Sequence, residues 1–172
     1  MANNFKLNIK IDLPQGASDF LQAASAKALK TVGGELDARF RDAMASSVWE
    51  WPRDSKRGVG GITLSEIARK WQKANFNTGS PRSINDTGNL AASSSGPIFK
   101  GAEGIEWVWT AEYAAWVHDG AYIAPWGNQR AAKVRLPERP WTEAVLFGHP
   151  NYSGETYDIA ERLAQEIEKN AT

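Results

Sequence analysis

The chain has 172 residues, 42% of them hydrophobic and 23% charged, which excludes a disordered composition and suffices for one domain with a buried core. Its 20 basic and 20 acidic side chains balance, so it lacks the basic excess of a free-standing nucleic-acid binder and sets little net charge between associating copies. Without cysteine it forms neither disulfides nor thiolate metal sites; without a long apolar run or a signal-type start it is expected to stay off membranes and unexported.

The stretch "FKLNIKIDLP" alternates Phe5, Leu7, Ile9, Ile11 and Leu13 with Lys6, Asn8, Lys10 and Asp12. That pattern predicts a strand with one buried face. Pro14 and Gly16 end it, and Ser18 or Asp19 can cap a long helix over 20–48. Leu29, Val32, Leu36, Phe40, Ala43 and Met44 fall three and four apart and make its apolar stripe. Gly33 and Gly34 interrupt that helix at about 1 kcal/mol each relative to alanine; a kink or a close backbone crossing is expected there.

Residues 49–62 read as an extended loop, with Trp49, Trp51, Pro52, three glycines and the basic Arg53, Lys56 and Arg57. A second helix then starts with a capping box of Thr63 and Glu66 and runs to about residue 73. Residues 75–95 are polar and broken, and Asp86 or Thr87 can cap a short turn around Leu90. "PIFKGAEGIEWVWTA" predicts a hairpin with strands over 97–100 and 105–110, in which Ile105, Trp107 and Trp109 share a face.

"AEYAAWVHDG" predicts a short helix capped by Thr110 and ended by Gly120, with Tyr113, Trp116 and Val117 facing the core. Residues 121–136 read as strand, loop and strand, with Trp126, Arg130 and Arg135 along them. Pro140 suits the first position of a helix through Phe147. A final helix carries Ile159, Leu163 and Ile167 on one stripe, with acidic exposed faces. The order predicts one α+β domain over 1–172: a small, mainly antiparallel sheet with a long N-terminal helix and shorter helices packed on one side.

Several groups could carry chemistry. Asp86-Thr87-Gly88 is the tripeptide of aspartic proteases, and Leu146 to Gly148 imitates their second signature. Polar neighbours surround Asp86, however, so a helix cap is the favoured reading and a dimeric aspartic-type hydrolase the alternative. His118-Asp119 could begin a triad or a metal site, but there is no G-x-S-x-G elbow, and His149 lies in another loop. The pair is read as an ordinary helix end, with His118 contributing less to stability than Tyr113 or Val117. No phosphate-binding or dinucleotide signature stands out, and no cofactor or metal is expected. Of the eight tryptophans, Trp49, Trp51 and Trp126 sit among turn residues. They predict an interface with another chain, together with Arg53, Arg57, Arg130 and Arg135.

Three segments in order resemble a known family. "DTGNLAASSSG", with Thr87, Gly88 and Leu90, is similar to a T-G-x-L-x-x-S segment. "AEYAAWVHDG", with Tyr113, Val117 and Gly120, is similar to an x-x-Y-A-x-x-V-x-x-G helix. "LPERPWTEAVL", with Arg139, Pro140 and Trp141, is similar to a turn of the form x-x-R-P-aromatic. The family is the head–tail joining proteins of long-tailed bacteriophages, also called tail completion, neck connector or tail terminator proteins. The resemblance spans residues 86–146. This chain departs from it in His118-Asp119, in Trp141 where a phenylalanine is usual, and in a longer 121–137 stretch.

The resemblance implies a non-enzymatic virion protein at the head–tail junction, assembled in the host cytoplasm as a homo-oligomeric, hexameric ring. Its partners would be further copies of itself, a portal-side adaptor or stopper, and the tail tube or its terminator, with genomic DNA passing through the lumen unread. A tail terminator that caps the tube is the alternative within the family; an unrelated host interaction module is a third expectation.

Overall fold

The computed structural model describes residues 4–45, 89–123, 134–136, 138–150 and 152–171. The expected loop at 49–62, the helix at 63–73, the cap at Asp86 and Thr87, Gly88, and the 124–133 loop with Trp126 and Arg130 lie outside the described residues, as do the side chain of Arg135 and residues 46–48.

Strand β1 (Phe5–Lys10) alternates half-buried and exposed residues, as its sequence predicts, but stops short of Leu13. Helix α1 (Asp19–Ala45) follows, and the Ser18 hydroxyl accepts from the Leu21 amide at its start. Its stripe of Leu29, Val32, Leu36, Phe40, Ala43 and Met44 is buried throughout. A Cβ on Gly33 would lie 3.0 Å from the Phe99 ring and 3.1 Å from Ile105. What lies against Gly33 is thus the Phe99 and Ile105 side chains rather than a crossing backbone. Gly34 faces open space.

Helix α2 (Asn89–Ala92) is a single turn that buries Leu90. The hairpin of β2 (Ile98–Phe99) and β3 (Gly104–Trp109) turns at Gly101, whose φ of 64° suits glycine. The sheet order is β1-β3-β2, antiparallel throughout, with Phe5 opposite Trp109 and Lys10 opposite Gly104. A side chain at 104 would strike the Ile9 carbonyl, so that register requires glycine there. Ser93 to Ser95 extend the β2 edge: the Ser95 amide donates to the Val108 carbonyl, and the Ser95 hydroxyl accepts from the Val108 amide.

The remaining elements are α3 (Ala114–Asp119), a small antiparallel ribbon of β4 (Ala121–Ile123) and β5 (Val134–Leu136), α4 (Trp141–Phe147) and α5 (Ile159–Asn170). Helix α1 packs against β3, α4 and α5. This is the α+β arrangement that the sequence predicts.

The core is aromatic. Phe40 meets Trp107 edge-on at 5.5 Å, and Trp109 meets Trp141 at 5.7 Å. Burying each large apolar side chain contributes about 1.5–3 kcal/mol, and each well-oriented ring pair about 0.5–1.5 kcal/mol more. The indole N–H groups of Trp107, Trp109 and Trp141 are buried with no hydrogen-bond acceptor among the described residues. The rings here serve as area rather than as polar anchors.

Helix α5 docks on α1 through a polar clamp. Glu35 of α1 receives Arg162 Nε at 3.0 Å and Nη2 at 2.7 Å, and the Tyr157 hydroxyl at 2.5 Å. The Arg162 hydrogen bond, against the opposing effect of burial and with help from Tyr157, holds the Glu35 carboxyl down at about 2. Burial, followed by the Glu35 hydrogen bond, pushes the Tyr157 hydroxyl well above its ordinary range. Arg39 lies 5.0 Å over the Tyr157 ring. Glu166, expected on an acidic exposed face, is instead buried, with Arg162 at 3.1 Å and Lys169 at 3.4 Å.

Candidate functional site

Two of the three family-like segments meet at one joint. Helix α3 begins at Ala114 rather than after Thr110. Thr110 is otherwise engaged: its amide and its hydroxyl both donate to the Ser93 carbonyl, at 3.1 and 3.2 Å. Tyr113 takes the N-cap position without a side-chain hydrogen bond. Gly120, with φ 75° and ψ 160°, ends the helix as its sequence predicts and turns the chain into β4.

The helix is rotated relative to the sequence expectation. Its buried positions are Ala114 and His118; Val117 is half-buried against the core, Tyr113 is 38% exposed and Trp116 45% exposed. Tyr113 therefore does not tuck under the sheet. In six residues, Ala114, Val117 and His118 have the same three-and-four spacing as Tyr113, Trp116 and Val117, so periodicity cannot choose the phase. The choice falls to what His118 meets.

His118 is 3% exposed. Its ring stacks on Phe5, with centroids 3.9 Å apart, and presents its face or edge to Trp141 at 4.7 Å and 89°. Nδ1 lies 2.6 Å from the Asp119 carboxylate and Nε2 lies 2.7 Å from the Thr142 hydroxyl. An Nδ1–H tautomer would donate to Asp119 and accept from Thr142. The helix does end at Gly120 as expected, but the minor role expected of His118 is corrected: it is a buried connector between α3 and α4.

The backbone closes the same joint. The Arg139 amide donates to the carbonyls of both Val117 and His118, at 3.1 and 3.0 Å, which satisfies the end of α3 from the start of the next segment. Strands β4 and β5 pair Ala121 with Leu136, so the chain leaves the joint at Gly120 and returns to it at Arg139. The Arg139 side chain is buried, which lowers its guanidinium to about 10. Pro140 is the N-cap of α4 rather than its first residue, and its carbonyl accepts from the Ala144 amide. Trp141 is fully buried, and the Tyr157 amide donates to the Val145 carbonyl from the α5 side.

The order Asp119, His118, Thr142 has the connectivity of a nucleophile triad. The hydroxyl, however, belongs to a residue only 2% exposed, packed beside the aromatic rings. A 670 Å³ groove lined by Lys10, Asp12, Gly16, Gln22, Lys100 and Glu103 lies at the opposite end of β1 and β3. Its nearest β1 residue, Asn8, is three strand positions beyond the Phe5 that stacks on His118. The relay ties two helices together and faces no substrate space among the described residues.

Val117, Gly120, Arg139, Pro140 and Trp141 are brought together here, with Tyr113 on the rim, while Leu90 enters the same core under α2. Sequence reasoning missed Phe5 and Thr142 as partners of His118. Neither carries a local signal, since the contacts span 113 and 24 positions. Among the described residues no group of three histidines or carboxylates is placed to hold a metal ion, and no helix is long and apolar enough to cross a membrane. Compared with known protein families, with curated proteins and with solved structures, the chain matches none.

Proposed function

We propose that this chain is a non-enzymatic structural subunit of a bacteriophage head–tail junction, a tail completion or neck connector protein that closes a homo-oligomeric ring. The observation that carries the reading is the joint itself. The "AEYAAWVHDG" and "LPERPW" segments, which supply two of the three family-like motifs, meet through the Arg139 amide and the His118–Thr142 bond. Their residues shape a corner between helices that opens onto no substrate space among the described residues. In this reading the α1-on-sheet body is the rigid unit, and head-to-tail contacts between copies close the ring. Trp49, Trp51, Arg53, Arg57, Trp126, Arg130 and Arg135 supply subunit and layer contacts. DNA passes through the lumen without readout. Negative-stain electron microscopy of the purified protein should show annular particles. A strictly monomeric protein at high concentration, with and without tail-tube protein, would overturn the reading. A map of the intact virion separates a connector layer from a terminator layer.

A further inference from the structure

The two edges of the three-stranded sheet differ. On the β2 side the regular strand is two residues long and continues only as the irregular Ser93 to Ser95 stretch across Gly96, a broken edge for templating another chain. On the other side lies all of β1, six residues without proline. Its outward groups follow from the ladder. The Ile11 amide donates to the Glu103 carbonyl at 2.8 Å, continuing the register in which Ile9 faces Ile105 and Phe5 faces Trp109. In an antiparallel pair such bonded positions alternate with unbonded ones. Phe5, Leu7 and Ile9 therefore bond to β3, while the amides and carbonyls of Lys6, Asn8 and Lys10 point away from it. The far side of β3 agrees: Gly104 and Val108 accept from Lys100 and Ser95 on the β2 edge. No described residue pairs with the outward groups of β1, and Lys6, Asn8 and Lys10 are exposed.

Charge identifies the occupant. Lys6 and Lys10 form no ion pair among the described residues. Glu106, on the neighbouring strand, is already held by Lys100 at 2.6 Å. If two copies joined their β1 edges about a two-fold axis at Asn8, Lys6 and Lys10 would stand opposite one another twice, and like charges in that position oppose pairing. The lysines thus act against self-pairing in that register and in favour of an acidic strand, whereas a register about Leu7 would set Lys6 against Asn8. On the inner side, Phe5, Leu7 and Ile9 are only half-buried, so an incoming strand with apolar alternate residues would extend the covered face.

We propose that the outer edge of β1, which no described residue pairs with, is a docking site for an extended segment of a partner protein that alternates apolar and acidic residues, added to the sheet as a further strand. The proposal does not rest on ring assembly. A synthetic, end-blocked peptide alternating valine and glutamate, roughly seven residues long to match the strand, tests it by NMR titration. Saturable binding is expected, with the largest amide shifts at Lys6, Asn8 and Lys10. Lys6→Glu/Lys10→Glu should weaken it by about tenfold or more, as reversed rim charges do. Methylating the peptide amides that face β1 should abolish it, an arm that needs no protein variant. Absence of binding at millimolar peptide, equal binding of the methylated peptide or of a valine–lysine peptide, displacement by a short DNA duplex, or the same shifts from self-association without peptide would each overturn the proposal.

Discussion

The joint of α3 with α4 and the clamp of α5 on α1 do the same mechanical work with opposite chemistry. At the joint, one imidazole is enclosed by Phe5 and Trp141 and bridges to a buried hydroxyl. At the clamp, a bidentate Arg162–Glu35 pair sits about one-third exposed on both sides. Water screens the clamp, so it contributes little despite its short contacts. At the joint the imidazole and the Thr142 hydroxyl are buried, so removing one partner strands the other and opens a cavity. Location rather than formal charge sets what each contact is worth.

The largest effect should come from the buried side. His118→Ala removes a stacked ring and leaves the Thr142 hydroxyl without its partner, and should destabilise the fold by about 2–4 kcal/mol in denaturant unfolding. Thr142→Val keeps the volume and should cost less, about 1–2 kcal/mol. A loss below that of a surface substitution for His118→Ala would show that the ring does not hold the joint.

The clamp should give a smaller, pH-dependent effect. Glu35→Gln is expected to cost about 1 kcal/mol at neutral pH, given its partial exposure. The Glu35 carboxyl lies at about 2 in the folded chain against an ordinary value of 4.5. The unfolded chain therefore takes up the proton first as pH falls. The stabilisation is complete above about 4.5 and fades as pH drops toward about 2. Melting curves of the native chain and of Glu35→Gln should converge across that window. A difference that persists unchanged to the acid end would remove the ion pair as its source.

Tyr113→Ala should have the smallest effect, below about 1 kcal/mol, because an exposed ring gives up little on truncation. A cost equal to that of His118→Ala would mean that α3 buries the face its apolar residues suggest. That outcome would erase the contrast between the rim of the joint and its interior.

Much of the fold was legible in residue order. Strand β1, the stripe of α1, the glycine turn of the hairpin and the Ile159–Leu163–Ile167 line of α5 all follow from spacings that persist over several turns or pleats. Gly33 marked a tight contact with the Phe99 and Ile105 side chains, and Gly120 a helix end whose positive φ favours glycine. The candidate site was legible only in outline: Gly120, Arg139, Pro140 and Trp141 could be named, but not that they share a corner.

Tertiary structure alone decided the rest. A six-residue helix has too few apolar positions to set its own rotation, so α3 took the phase that puts His118 between Phe5 and Trp141. Histidine and threonine read as polar along the chain. Each becomes a buried residue once a partner distant in sequence satisfies its hydrogen bond. Glu166 is a different case: it is buried with Arg162 and Lys169 beside it, each one turn away on its own helix. Sequence by itself determined where chain segments could be regular and which broad face each would bury; long-range hydrogen bonds and ring contacts determined which polar residues entered the core, because their free energy depends on a partner that local spacing cannot specify.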